Sequence, residues 1–177
     1  LLKKGRVKIS KFSEDGKEIT LDLLEPGDIF GAIGGGGEGT EEDTYAETLE
    51  PVSVCIASRE NFEKFTKRNP ELGLRITKFI GFRLKRIENK IEALVFQDVP
   101  TRLAHLLLRF AAEAGVQSPS GSTIDIPLTH QDIANLIGST RETVTELLNR
   151  FKREGLLDFA KRRIVLRDSA ALRKKYP

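Results

Sequence analysis

Methionine and tryptophan are absent from the 177 residues, and cysteine occurs once, at Cys55. A single cysteine excludes an internal disulfide, a CxxC redox pair and any cysteine-built metal or iron–sulfur cage. Histidine is almost as scarce. His105 and His130 stand far apart in the sequence, which excludes most histidine-rich zinc chemistry. No run approaches the ~20 apolar residues of a membrane-spanning helix, so no membrane partner is expected. Leu1-Leu2-Lys3-Lys4 runs into charge at once, unlike a secretory leader, and a cytoplasmic location is expected. With no methionine at its start, the chain is expected to be incomplete at the N-terminus. What is present, 39% apolar and 31% charged residues, is the composition of a folded globular protein rather than a disordered one.

Basic residues are missing from Glu18 to Ser58, a stretch that holds ten carboxylates. From Val99 to the end the balance reverses, with 13 Lys and Arg against 8 Asp and Glu. An acidic front and a basic back imply two modules, the second facing a polyanion.

The front reads as short strands. Val7 and Ile9 alternate with Lys8, Ser10 and Lys11, and Asp15-Gly16 then makes a hairpin turn. Ile19, Leu21 and Leu23 alternate with polar neighbours until Glu25-Pro26-Gly27-Asp28 breaks the run, and Val52, Val54 and Ile56 alternate again. This is an antiparallel β unit that further N-terminal strands would complete. From Glu60 the period becomes helical, with a short helix over 61–67 and a long one from Asn69-Pro70. In the long helix Ile80, Leu84, Ile87, Ile91 and Leu94 are spaced 4, 3, 4, 3, a coiled-coil seam. Such a seam needs a partner, and a parallel homodimer is the expected one. Asp98-Val99-Pro100-Thr101 interrupts the helix, because proline disfavours helix in the residue before it. The chain therefore divides into 1–97 and 98–177. Next comes an amphipathic helix over 102–114 with Leu103, Leu106, Leu107 and Phe110 inward. Residues 116–123, rich in Gly, Ser and Pro, read as a loop, and Ile124 and Ile126 as the start of a short strand.

Residues 130–149 carry the function. Ala134 is small where two helices would cross, and Gly138 sits where a turn makes positive φ convenient. Ile133, Ile137, Val144, Leu147 and Leu148 supply an apolar interior. Two capping-box patterns, Thr129-His130-Gln131-Asp132 and Ser139-Thr140-Arg141-Glu142, open the two helices. The pattern is that of a helix-turn-helix, with Thr140, Arg141 and Glu142 in the first turn of its second helix, the end that meets base edges. Arg141 has the fork that pairs with O6 and N7 of guanine. Glu142 either accepts from a cytosine amino group or caps its own helix. Thr129, Gln131, Ser139 and Thr140 lie at helix N-termini, suited to phosphate contacts that fix register, and Thr145 lies one turn further along the same helix. Phe159 and Ile164-Val165-Leu166 flank Ala160-Lys161-Arg162-Arg163, which reads as a β-hairpin wing. Lys161 and Arg162 at its tip either contact the DNA backbone or are simply solvated.

Pro26-Gly27-Asp28, then Phe30-Gly31, a long seam helix and Gly138-Ser139-Thr140-Arg141-Glu142-Thr143-Val144 resemble the cAMP receptor protein/FNR-type transcription regulators along essentially the whole chain. The resemblance implies an α+β protein: a β-roll effector domain, a dimerising helix over about 70–97 and a winged helix-turn-helix. It implies that Arg141 and Glu142 read a GTG-like half-site of a pseudo-palindromic operator. Where the cAMP receptor type has a further base-contacting arginine, Glu146 stands here. Ser118-Pro119-Ser120-Gly121 and the C-terminal segment are also similar to nitrogen-control regulators that sense 2-oxoglutarate.

Enzymatic readings find no support. The glycine run from Gly34 is followed by acids, not by a helix-opening fingerprint or a Gly-Lys-Ser/Thr phosphate loop. His105, on the helix over 102–114, has no metal-ligand partner nearby, His130 reads as an exposed first-turn residue, and no base completes a serine or cysteine constellation. No catalytic residue, metal or cofactor is expected. At the positions that hold cAMP in the receptor type, this chain has Ala32, Glu42-Asp43 and Ile87-Glu88, so the phosphate would meet repulsion. From Glu18 to Ser58 no basic residue could substitute from within the roll, though Arg83 or Arg86 of the helix could reach in. The expected function is a homodimeric activator that contacts RNA polymerase and binds its operator without cAMP. The alternative is a regulator that depends on a small effector such as 2-oxoglutarate.

Overall fold

The computed structural model describes residues 1–31, 44–118, 121–161 and 163–177. Two compact units emerge, Leu1–Lys17 with Leu21–Glu92, and Glu18–Thr20 with Ala93–Pro177. Together they make the α+β fold expected, strand-rich at the front and helical with a small sheet at the back.

The front holds Leu2–Lys4 (β1), Val7–Phe12 (β2), Glu18–Leu24 (β3), Thr44–Thr48 (β4) and Ser53–Val54 (β5). β3, β2 and β4 form one sheet in that order, and β1 pairs with β5. The β2–β4 register sets Val7 against Thr48 and Ile9 against Ala46. Leu2, Val7, Ile9 and Leu24 form a buried cluster with Phe30 and Val52 against it. Lys8 and Ser10, the polar residues of the alternation, are buried as well, and Lys8 reaches Glu47 at 3.0 Å. The Pro26-Gly27-Asp28 turn clasps β1: Gly27 N–H donates to Leu2 O, and Leu2 N–H to Asp28 O, both at 2.9 Å. The third alternating run yields only two strand residues, and Ile56 is 87% exposed.

Arg59–Arg68 (α1) is capped by Ser58 and ends at Asn69, after which Pro70–Phe96 (α2) runs for 27 residues without one buried side chain. The helical run breaks at Gln97 and Asp98, while Val99, Pro100 and Thr101, expected within the interruption, are already helical. The next helix, Val99–Ala114 (α3), therefore starts earlier than expected. Asp98 caps it and Pro100 occupies its first turn, where a missing N–H costs nothing.

The second unit packs α3, with Leu103, Leu106, Leu107 and Phe110 buried as expected, against a four-stranded sheet. Its strands are Gly115–Ser118 (β6), Gly121–Ile124 (β7) and, after helices His130–Ile137 (α4) and Arg141–Arg153 (α5), Leu157–Ala160 (β8) and Arg163–Leu166 (β9). Thus the expected loop at 116–123 is mostly a hairpin, and Ile126 is buried outside any strand. The reason is tertiary: β7 pairs with β9, and Gly121 lies so close to Leu166 O that a Cβ would meet it at 2.3 Å. Ser169–Lys175 (α6) closes the chain.

Candidate DNA-reading surface

Two capped helices build the surface. Thr129 caps α4, its Oγ1 accepting from Asp132 N–H at 3.1 Å, while the Asp132 carboxylate accepts from Thr129 N–H at 2.9 Å. Ile133, Ala134 and Ile137 are buried, and α4 ends on Gly138 at φ +62°, the left-handed conformation that glycine adopts without steric cost. Ser139 does not cap the next helix. Its N–H donates back to Ala134 O at 3.0 Å, closing the turn, and the cap falls one residue later on Thr140, whose Oγ1 accepts from Thr143 N–H. Arg141 and Glu142 are therefore the first two residues of α5, and Thr140 precedes it. On the inner side Val144, Leu147, Leu148 and Phe151 are buried, so the opposite face of α5 is free to meet a ligand.

Arg141 and Glu142 are exposed and lie 3.6 Å apart, Arg141 Nε to Glu142 Oε1. The Glu142 backbone N–H, with Arg141 beside it, holds the Glu142 carboxyl below the usual carboxylate range. It is therefore an ionised acceptor at neutral pH. Thr129, Gln131 and Thr140 are exposed and Ser139 half-exposed. Gln131 Nε2 donates to Asn135 Oδ1 at 2.8 Å. Thr145 is different: its hydroxyl donates to Arg141 O and meets His130 Nδ1, both at 2.8 Å. That leaves Thr145 its methyl group to offer a ligand. It also corrects the reading of His130 as an exposed first-turn residue; the ring is half-buried and joins α4 to α5.

The wing forms as expected, β8 and β9 pairing from Leu157↔Leu166 to Ala160↔Arg163. Lys161 projects from its tip, exposed, at φ +49°. Arg162 lies outside the described residues. Asp158 anchors the wing's base: Lys152 Nζ at 2.9 Å, its neighbour Phe159 N–H at 2.8 Å and Arg167 Nη2 at 3.1 Å all converge on its carboxylate. Lys152, the Phe159 N–H and Arg167 together hold that carboxyl far below the usual range.

Along α2 the seam residues Ile80, Leu84, Ile87 and Ile91 are exposed, while Leu94 is half-buried beside Gly138, where a Cβ would lie 2.7 Å from its Cδ2. Arg83 and Arg86 of this helix do reach the β3 strand within the first unit. Arg86 Nη2 lies 3.0 Å and Arg83 Nε 3.5 Å from Asp22 Oδ2. Burial pushes the Asp22 carboxyl up, and the two guanidinium groups pull against it. Arg83 also lines a cavity with Ile9, Phe30, Gly31, Thr44, Tyr45 and Ala46. Of the positions compared with a cAMP site, Ala32, Glu42 and Asp43, like the glycine run, lie outside the described residues. Ile87 and Glu88 are exposed on α2, with Glu88 3.3 Å from Lys85 Nζ. Among the described residues no cluster of His, Cys, Asp and Glu fits a metal, and no helix is long and apolar enough to cross a membrane.

A turn-linked helix pair with a β wing, its arginine exposed at the start of the second helix, defines a winged helix-turn-helix of the DNA-binding class. Comparison with known proteins agrees for both units. Residues 101–175 match the Crp-like helix-turn-helix domain, and residues 1–69 the cyclic nucleotide-binding domain. The chain is 35% identical over 176 residues to the global nitrogen regulator of a Synechocystis species, covering 99% of this chain and 78% of that one. It is 30% identical over 171 residues to the CRP-like cAMP-activated global transcriptional regulator of Mycobacterium tuberculosis, covering 97% and 76%. The structure of a CooA mutant from Carboxydothermus hydrogenoformans superposes with a TM-score of 0.84 at 32% identity, covering 100% of this chain and 78% of that one. The protein belongs to the cAMP receptor protein/FNR family of transcription regulators.

Proposed function

We propose that the protein is a cytoplasmic transcription activator that binds a pseudo-palindromic operator as a homodimer, contacts RNA polymerase and needs no cAMP. It catalyses no reaction in this reading. The functional division falls at the interruption between 97 and 98. The observation that carries the reading is the exposed Arg141 at the capped start of α5, its guanidinium open to solvent beside Glu142 and placed to pair with guanine in the major groove. Glu142, ionised, accepts from a cytosine amino group beside it, and the Thr145 methyl offers an apolar contact to thymine. Thr129, Gln131, Ser139 and Thr140 fix the register on phosphates, with Lys161 and Arg162 on the flanking backbone. Ile80, Leu84, Ile87 and Ile91 form the dimer seam, with Leu94 at its end.

Effector independence rests on Asp22. It already gives Arg83 and Arg86 an internal carboxylate, so an incoming anion would have to displace an ion pair rather than meet free cations. The same arginines favour one second reading, an anionic effector such as 2-oxoglutarate, because Arg83 does line the cavity. Calorimetric titration with cAMP and with 2-oxoglutarate, and operator binding with and without each, decides between them. We expect no heat of binding and an unchanged operator affinity. Micromolar binding, or a gain of about tenfold in operator affinity, would contradict the effector-free reading.

A further inference from the structure

Arg102 stands in the first turn of α3, the positive end of a helix dipole, where a cation is electrostatically misplaced. Its side chain leaves the helix and compensates elsewhere. Arg102 Nε donates to Ile137 O at 2.8 Å, Nη1 to Gln97 O at 2.5 Å and Nη2 to Gly138 O at 3.3 Å. Ile137 and Gly138 are the last residue of α4 and the glycine of the helix-turn-helix turn. Gln97 follows the last residue of α2 and still donates its own N–H to Ala93 O. The final carbonyls of a helix lack intrahelical donors and carry the negative end of its dipole. One guanidinium therefore caps α4 and ties that cap to the end of the seam helix.

A second contact closes the arrangement. Leu94, in the last turn of α2, lies against Gly138, since a Cβ built there would be 2.7 Å from Leu94 Cδ2. The turn is thus gripped from both sides, by Leu94 and by the Arg102 fork. Thr140 and Arg141 follow Gly138 directly, with Ser139 bonded back to Ala134 O. A rotation of the turn would carry the start of α5 with it. We infer that Arg102 is a positioning residue for base readout, a three-carbonyl clamp that fixes the angle at which Arg141 is presented to DNA. It does not itself touch the bases. Lysine cannot replace it, because a single ammonium lacks the planar fork that reaches three carbonyls at once.

The inference rests on α5 being the base-reading helix, and the test separates the two. Wild type, Arg102→Ala, Arg102→Lys and Arg141→Ala are titrated at one salt concentration against two duplexes. One is a palindromic duplex that the wild type enriches from a random pool, and the other is its scrambled counterpart; unfolding midpoints are measured alongside. The clamp predicts that Arg102→Lys stays folded and binds scrambled DNA like wild type, while its affinity for the selected duplex falls about tenfold. Arg102→Ala should show the same split or a larger one. If Arg102→Ala fails to fold, Arg102→Lys alone decides. Selected-duplex affinity unchanged in Arg102→Lys would overturn the clamp, as would a parallel loss on both duplexes, the mark of a phosphate contact or a general structural role. If Arg141→Ala also keeps the preference for the selected duplex, the assignment of α5 falls and the clamp with it. If Arg141→Ala loses the preference and both Arg102 variants keep it, only the clamp falls.

Discussion

Arg141 and Lys161 are both exposed cations, yet they are expected to fail in different ways when removed. In the proposed reading the Arg141 fork addresses a base edge, so Arg141→Ala should cost about 1–3 kcal/mol of specific binding and relax selection at one G·C pair in each half-site. In the same proposal Lys161 at the wing tip addresses a backbone phosphate. Lys161→Ala should weaken binding to all sequences alike and lower the slope of log affinity against log salt by about one. Binding titrations across salt on matched and mismatched duplexes would show this, and a Lys161→Ala variant with altered base preference would contradict it. Arg141 was legible because its chemistry is local: an arginine two residues after a turn, beside a capping pattern. Ser139 and Thr140 offer the same hydroxyl, and only the bond from Ser139 N–H to Ala134 O shows which of them caps. His130 and Arg102 were illegible for a different reason. Their partners, Thr145 for one and Gln97, Ile137 and Gly138 for the other, come together only when α3, α4 and α5 pack.

Among the elements, those with strong local signals formed close to where the sequence placed them: the strands β2 and β3, the break before α3, the cap of α4, and the wing, while the cap of α5 fell one residue later than its pattern, on Thr140. Strands whose pairing is their main support did not announce themselves. β1 is three residues that gain their place from β5 and the Pro26-Gly27-Asp28 clasp, and β6 and β7 lie in a glycine- and serine-rich stretch that propensity assigns to loop. The wing's base makes a prediction about pH. Asp158, gripped by Lys152, the Phe159 N–H and Arg167, titrates far lower when folded than when unfolded. A carboxyl so depressed adds stability above its ordinary value, 3.8, and loses it as the pH falls below that value. Asp158→Asn should therefore lower the unfolding midpoint at neutral pH and flatten the loss of stability on acidification. Thermal melts from about pH 7 to about pH 2 read both effects, and a variant with the wild-type acid profile would remove Asp158 from the wing's support.

For the whole molecule, the exposed seam of α2 supports the proposed dimer. A helix of 27 residues with no buried side chain and Ile80, Leu84, Ile87 and Ile91 open to solvent is stable when a second helix covers that seam. Replacing Ile87 and Ile91 together by lysine would set like charges against one another across the seam. Sedimentation should then show a monomer, and operator affinity should fall steeply because each monomer holds a single half-site. An unaltered dimer would mean that other residues make the interface. Dimer and recognition helix together predict what DNA the protein chooses, and selection of the bound duplexes from a random pool measures that choice directly. We expect enrichment of a pseudo-palindrome with two inverted half-sites centred about 10 base pairs apart, one helical turn, or a multiple of it, each half-site holding a G·C pair that Arg141→Ala no longer selects. Enrichment of a single unrepeated site, or of no sequence at all, would contradict the account.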